Sequence, residues 1–398
     1  MGYIEDNIAS GRHVFPDLVR AAALFGIVLV NVAYFAYPGE ITYFFGGLNG
    51  PADLAAAFTV DALFLFKSYT LFSVMFGAGL AYQMMAAERR GAAFGPRYFR
   101  RMLGLFLLGV LHVTVAFVGD ILIVYAVIGS LLFLFRNRSV KALMRWAYAL
   151  LILQIVLAGL GAGAFAAWET FDPAGFASEA DTMRESMERR AAVYQTGSFA
   201  EIAAERWRDW RGYIGFAAVG QAPGVLSFFL FGLAGVRSGV LQDPHAPLWS
   251  RARRFFLPVG LLISAIGAYA IVGSSSSMSA RGMTGSALIV IGAPLASLGY
   301  LGLIAAWAAG PVTAAKAFFA RAGTSSLSAY LLQSLILSFV FCGYGLGLYA
   351  KVGAAGCVTI AAVTGLVSLA FSSLWRLRYA RGPVEALLRR WTYLGTGR

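Results

Sequence analysis

Apolar stretches of about twenty residues recur along the whole chain, and a single class of fold accommodates so many of them. Inside a bilayer every backbone N–H and C=O must find its partner within the protein, so stretches of this length span as helices. Ten are read, at roughly 17–37, 56–84, 98–118, 120–136, 142–167, 214–236, 254–273, 284–309, 316–344 and 353–375. Composition agrees, with 59% of the 398 residues hydrophobic and 13% charged, against roughly 45–50% and about 25% in soluble proteins. A disordered chain is excluded, and so is a cytosolic enzyme with a single anchor. The first stretch holds Arg20 near its start and no small-residue cleavage site follows it, so it is expected to stay as an anchor. The fold class expected is all-α, a polytopic membrane helical bundle of about ten transmembrane helices forming one integral membrane domain over residues 1–398.

The net charge of +13 lies in short clusters between the apolar runs, so it reports topology rather than a nucleic-acid partner. Of the 32 Lys and Arg, 23 fall on one side, in clusters such as Arg97, Arg100, Arg101 and Arg136, Arg138, Lys141. Eight fall on the other side, and Lys67 lies within the second helix. The positive-inside rule then places both termini in the cytoplasm. The one long loop, residues 168–212, is extracytoplasmic and holds nine of the 19 acidic residues. Its stretches 181–194 and 199–210 read as amphipathic helices, with Ile202, Trp207 and Trp210 able to lie along the membrane interface. A lid over a cavity and a solvated linker both fit it.

Two cysteines, Cys342 and Cys357, exclude a disulfide scaffold or a Cys-rich metal site and read as small core residues. The three histidines, His13, His112 and His245, have no metal-ligand spacing. No metal is expected.

Ionisable groups at mid-membrane cost at least about 2.5–3.5 kcal/mol, so each must face the bundle interior and find a partner or water. Lys67 sits in the middle of helix two, with Asp61 about 9 Å away along the axis and 240° around it. A structural ion pair with another helix and a functional charge both remain open for Lys67. His112 lies where helix three meets the outer face, and the chain turns through Gly119-Asp120 straight into helix four. An imidazole there serves as a general base or nucleophile, and a nearby carboxylate orients it. A satisfied intramembrane histidine is the alternative, and Asp120 also suits an N-cap.

Helix one carries Arg20, fit for a phosphate, a carboxylate or positive-inside anchoring, and Asn31 about 16 Å deeper. Helix nine places Tyr330, Gln333 and Ser334 in an apolar run, able to line a polar cavity or to bind helices together. Tyr125 on helix four is a further cavity candidate. Arg100 and Arg101 suit either nucleotide phosphates or lipid headgroups.

Five ordered motifs carry a family resemblance. They are Asp17-Leu-Val-Arg20 through Asn31; Lys67-Ser-Tyr-Thr-Leu-Phe through Gly79; Leu108 to His112 leading to Gly119-Asp120; Leu327 to Ile336 with Gly343-Tyr-Gly-Leu-Gly347; and Gly382-Pro-Val-Glu385 through Tyr393. Together they resemble the bacterial YeiB family of inner-membrane proteins over essentially the whole chain. That family is grouped with transmembrane acyltransferases, whose relatives include polysaccharide O-acetyltransferases and the lysosomal heparan acetyltransferase. The resemblance implies a bundle that takes an acyl group from cytosolic acyl-CoA and delivers it to a hydroxyl or amine on the far side, using an intramembrane histidine. The lysosomal relative has its histidine after the first helix, whereas residues 34–58 here contain none, and Ala21 follows Arg20 where the family usually has Gly. The histidine would therefore be His112.

The reading for the chain is a transmembrane acyltransferase with His112 as base and Asp120 orienting it. Arg20, Arg100 and Arg101 hold the phosphates of acyl-CoA as donor. Asn31, Asp61, Lys67, Tyr125, Tyr330, Gln333 and Ser334 line the cavity. Membrane lipids and small-molecule donor and acceptor are the expected partners, without nucleic acid and with a homodimer left open. The alternative is a transporter or a lipid- or quinone-binding carrier, in which Lys67 and Asp61 are the coupling charges.

Overall fold

A computed structural model describes residues 14–38, 48, 50–89, 91, 93–274 and 278–394. Arg12, His13, Arg90 and Arg398, which entered the charge count or the histidine inventory, lie outside the described residues. The architecture is all-helical, with no strand among the described residues. The first half runs α1 Val14–Ala36, α2 Pro51–Leu63, α3 Lys67–Glu88, α4 Gly95–Val115, α5 Leu122–Leu132, α6 Val140–Phe171, α7 Pro173–Thr196 and α8 Phe199–Phe216. The second half follows as α9 Ala222–Arg237, α10 Pro247–Arg251, α11 Leu257–Val272, α12 Ala280–Ala309, α13 Ala314–Gly323, α14 Ser326–Phe341, α15 Ala354–Arg378 and α16 Pro383–Thr392.

The helix starts are written in the sequence. Ser139, Ser279 and Thr313 accept the backbone N–H three residues on, and Ser198 with Glu201 forms a reciprocal capping box. Proline stands in the first turn of α2, α4, α7, α9, α11 and α16, where its missing N–H costs nothing.

Among the described residues, eight helical segments are long and apolar enough to cross a membrane. Two of the ten expected spans take other forms. The stretch 316–344 is two helices, α13 and α14, bent by 82° at Thr324-Ser325. The segment Leu122–Phe135 is short, about 21 Å at 1.5 Å per residue. The second span, expected to be continuous, is interrupted at Phe64–Phe66. Phe66 adopts a left-handed backbone with φ 61°, and α3 begins at Lys67.

Packing between helices uses close backbone approach. A Cβ on Gly77 of α3 would sit 1.9 Å from the Phe229 carbonyl oxygen of α9, and one on Gly232 of α9 would sit 1.9 Å from that of Val74. Gly267 and Gly285 do the same for α11 against α12, each 2.6 Å from the other's carbonyl oxygen. Where lipid removes the hydrophobic drive between helices, such contact supplies dispersion instead. Helix α1 lies in the middle of the bundle, whereas α6 turns most of its surface outward. At the end of α16 nearest the bundle, the Glu385 carboxylate accepts the Leu327 and Ser328 backbone N–H groups, capping the half-span α14.

The tight α3–α9 crossing predicts that Gly77→Ala costs about 1–3 kcal/mol in overpacking strain. Gly159→Ala on α6, where an added Cβ meets nothing within 4 Å, is expected to be neutral or mildly stabilising. Thermal unfolding of the detergent-purified protein distinguishes the two.

Candidate functional site

Helix α4 ends one turn after His112, and five residues later Asp120 precedes the first turn of α5. The two helices meet there because Gly109, one turn before His112, has no side chain; a Cβ would lie 2.7 Å from Asp120 Oδ1. Asp120 is completely buried and divides its two oxygens. Oδ1 accepts the Ile123 backbone N–H at 2.8 Å, the expected cap, and Oδ2 lies 2.7 Å from His112 Nδ1. With the carboxylate ionised, the imidazole proton sits on Nδ1 and the lone pair on Nε2. Nε2 is buried and has no hydrogen-bond partner among the described residues. A ring held in one tautomer with Nε2 free has the geometry of the His–Asp pair of a catalytic triad.

Next to this pair lies a cavity of about 130 Å³ enclosed by α1, α3, α4, α5 and α14. Arg20, Gln83, Tyr98 and Arg101 stand at its basic end, the rings of Phe72 and Phe76 line its length, and Leu122, Tyr125 and Tyr330 close the other end. Tyr330 is the wall shared with the dyad, its ring centroid 5.0 Å from that of His112. Arg20 is held by Asp17 at 2.7 Å and remains partly exposed. Tyr125 donates or accepts with Ser73 at 2.6 Å.

The structure thus brings together Arg20, Arg101, Tyr125 and Tyr330 around the cavity, with His112 and Asp120 behind its end. The other predicted residues do not line it. Arg100 turns away and donates to the Leu394 carbonyl oxygen. Gln333 binds helices together, donating to Ser368 Oγ at 2.9 Å and the Leu24 carbonyl at 3.4 Å, and Ser334 donates back to Tyr330 within its own helix. Asn31 is half-buried on α1. Lys67 and Asp61 form a separate buried niche: the break in the helix lets Lys67 Nζ donate to the Asp61 main-chain oxygen at 3.0 Å, and Asp61 Oδ2 has no partner among the described residues. No grouping of His, Cys, Asp and Glu suited to a metal occurs among the described residues.

Sequence reasoning missed Arg206. The segment 168–212 forms the end of α6 and a helical hairpin, α7 and α8, as the amphipathic pattern predicts. Its buried face differs from the expected interface-lying set. Ile202 and Arg206 point into the bundle end, and Trp207, half-buried, donates to Thr114 Oγ1 at 3.1 Å. The available signal was spacing, since Arg206 falls four residues after Ile202 on the same helical face.

Residues 235–395 match the family described as Protein of unknown function (DUF418). Over 99% of this chain and 97% of its own length, the uncharacterized protein YxaH of Bacillus subtilis (strain 168) is 30% identical. The uncharacterized protein YeiB of Escherichia coli (strain K12) is 27% identical over 97% of both chains. No solved structure matches.

The hairpin carries a titration that can be read directly. Burial pushes the Asp209 carboxyl up to about 6, Arg190 at 3.2 Å opposes the shift, and Glu205 adds to it. A carboxyl whose folded pKa lies above its unfolded value stabilises the closed hairpin below about pH 4, and that contribution is lost as pH rises through about 6. Amide exchange over 194–209, corrected for intrinsic rates, is expected to show on the order of tenfold greater protection at pH 5 than at pH 7.5. Asp209→Asn is expected to abolish the difference.

Proposed function

Since the chain belongs to the YeiB family of membrane proteins, we propose that it is a transmembrane acyltransferase of the bacterial inner membrane, moving an acyl group from cytosolic acyl-CoA to an extracytoplasmic hydroxyl or amine. The observation that carries this reading is the buried His112–Asp120 pair with a free Nε2, set behind a cavity whose opposite end holds Arg20 and Arg101. The basic end faces the cytoplasm by the positive-inside count. The nucleotide phosphates of the donor are held there by the two guanidinium groups, which favour planar, bidentate contact with phosphate. The apolar length of the cavity takes the pantetheine arm, and Tyr330 swings aside to admit the thioester to the imidazole.

His112 Nε2 then removes the proton from the acceptor hydroxyl as its oxygen attacks the thioester carbonyl. The C–S bond breaks, and the departing thiolate takes the same proton back from the imidazolium. Asp120 keeps Nδ1–H in place and stabilises the imidazolium while it exists. Arg100, Lys67, Asn31 and Gln333 have no part in this scheme.

One observation favours a transport reading instead: Lys67 and Asp61 lie at a helix interruption, the kind of break in which secondary transporters hold coupling charges. A flux into proteoliposomes that requires Lys67 and ignores His112 would select it.

The acyltransferase reading predicts saturable binding of coenzyme A thioesters to the purified protein, measured by titration calorimetry. His112→Ala is expected to retain that binding and lose transfer by about 10²–10⁴-fold, the usual worth of a general base. Arg20→Ala and Arg101→Ala are each expected to weaken binding roughly tenfold, corresponding to about 1.4 kcal/mol, with a reduced dependence on salt. Absence of saturable binding would overturn the reading.

A further inference from the structure

Arg206 is 1% exposed, one of the largest fully buried side chains among the described residues. Its Nη1 donates to the Thr114 and Val115 carbonyl oxygens at 3.2 and 3.0 Å, in the last turn of the helix that bears His112. Its Nη2 donates to Ser338 Oγ at 2.7 Å, Tyr344 OH at 2.8 Å and Cys342 Sγ at 3.3 Å. All five acceptors are neutral. The two carboxylates nearest in sequence are engaged elsewhere, Asp209 by Arg190 and Tyr194, and Glu205 by Arg208. What answers the guanidinium charge is the negative end of α4, whose final carbonyls lack intrahelical donors.

The rest of the hairpin docks on the same end of the bundle. The Tyr194 carbonyl accepts the Gly343 N–H at 2.7 Å, Gln195 donates to the Tyr349 carbonyl at 3.0 Å, and the rings of Tyr194 and Tyr349 stack at 4.8 Å. Tyr194 and Ile202 share one apolar cluster with Phe117, whose ring lies 5.9 Å from that of His112. The hairpin thus covers the end of the dyad opposite the cavity.

We propose that the hairpin 173–216 is a flap over the extracytoplasmic side of the dyad and that Arg206 is its positioning residue, coupling closure of the flap to the placement of His112. Closed, the guanidinium completes the C-terminus of α4 one turn beyond the imidazole. Open, the flap uncovers the approach to Nε2 from the side opposite the donor. The role of the flap in admitting an acceptor rests on the acyltransferase reading, whereas its opening does not.

The chain's two cysteines report on the flap without substrate. Cys342 lies under Arg206, and Cys357, in the same apolar cluster but bonded to the Val352 carbonyl rather than to Arg206, is fully buried and serves as the internal reference. Maleimide labelling of the full-length detergent-purified protein, followed by peptide mass spectrometry, gives a rate for each thiol. Arg206→Gln is expected to raise the Cys342 rate at least tenfold and leave that of Cys357 unchanged. Arg206→Lys is expected to fall between, and Trp207→Phe, which removes only the donor to Thr114, to give a smaller rise in the same direction. Carbethoxylation of His112 by diethyl pyrocarbonate is expected to accelerate in parallel with Cys342, a readout that mere scaffolding of the hairpin would not move. An unchanged Cys342 rate in Arg206→Gln, acceleration of both thiols alike in Arg206→Gln and Trp207→Phe, or a His112 rate that ignores the flap would each overturn the proposal. If the labelling behaves as expected while acyl-CoA fails to bind, the flap stands and the enzymatic reading falls.

Discussion

The close approach of α4 and α5 depends on a missing methyl. Because position 109 is glycine, Asp120 reaches His112 Nδ1 and the backbone of its own helix at once, and both are sealed from water. A carboxylate in that position without both contacts would be an uncompensated polar group in an apolar bundle, costing several kcal/mol. With them, it fixes the angle between two helices and the tautomer of a ring. The cavity end, the Tyr330 wall and the docking of the hairpin all take their positions from this joint.

A second regularity concerns cations. Lys67 donates to the Asp61 carbonyl near the end of α2, and Arg206 to the last carbonyls of α4. Arg237 reaches the Arg136 and Arg138 carbonyls beyond α5, and Lys316 those of Ala308 and Gly310 at the end of α12. Each is a positive group from another segment placed at a helix C-terminus, where orphan carbonyls and the helix dipole welcome it. Three of these cations, Lys67, Arg206 and Lys316, are buried with carbonyls rather than carboxylates answering their charge, whereas Arg237 is exposed.

This explains which features were legible in the sequence. Apolar run length identifies the helices because lipid leaves the backbone no alternative, and the Gly119-Asp120 turn brings His112 and its carboxylate together by simple proximity. Arg101 and Arg100 are separable by helical geometry: Tyr98, Arg101, Met102 and Leu105 share the cavity face, and Arg100 is a third of a turn away. The interruption at Phe64–Phe66 is a different matter. The run Leu-Phe-Leu-Phe-Lys contains no Pro or Gly, and the carbonyls freed at the end of α2 are answered both locally, Lys67 donating to that of Asp61, and from far along the chain, Tyr300 donating to that of Leu63. Polarity alone groups Gln333, Ser334 and Lys67 with the cavity, and polarity does not say which neighbour a helix face will meet.

The carboxylate of Glu385 completes the first turn of α14 from 57 residues downstream. During biosynthesis, α14 therefore enters the bilayer with its leading N–H groups unanswered until α16 has left the ribosome. The helix that carries Tyr330 to His112 is thus completed by a segment translated after it, and the wall between the cavity and the His112–Asp120 pair depends on that later contact.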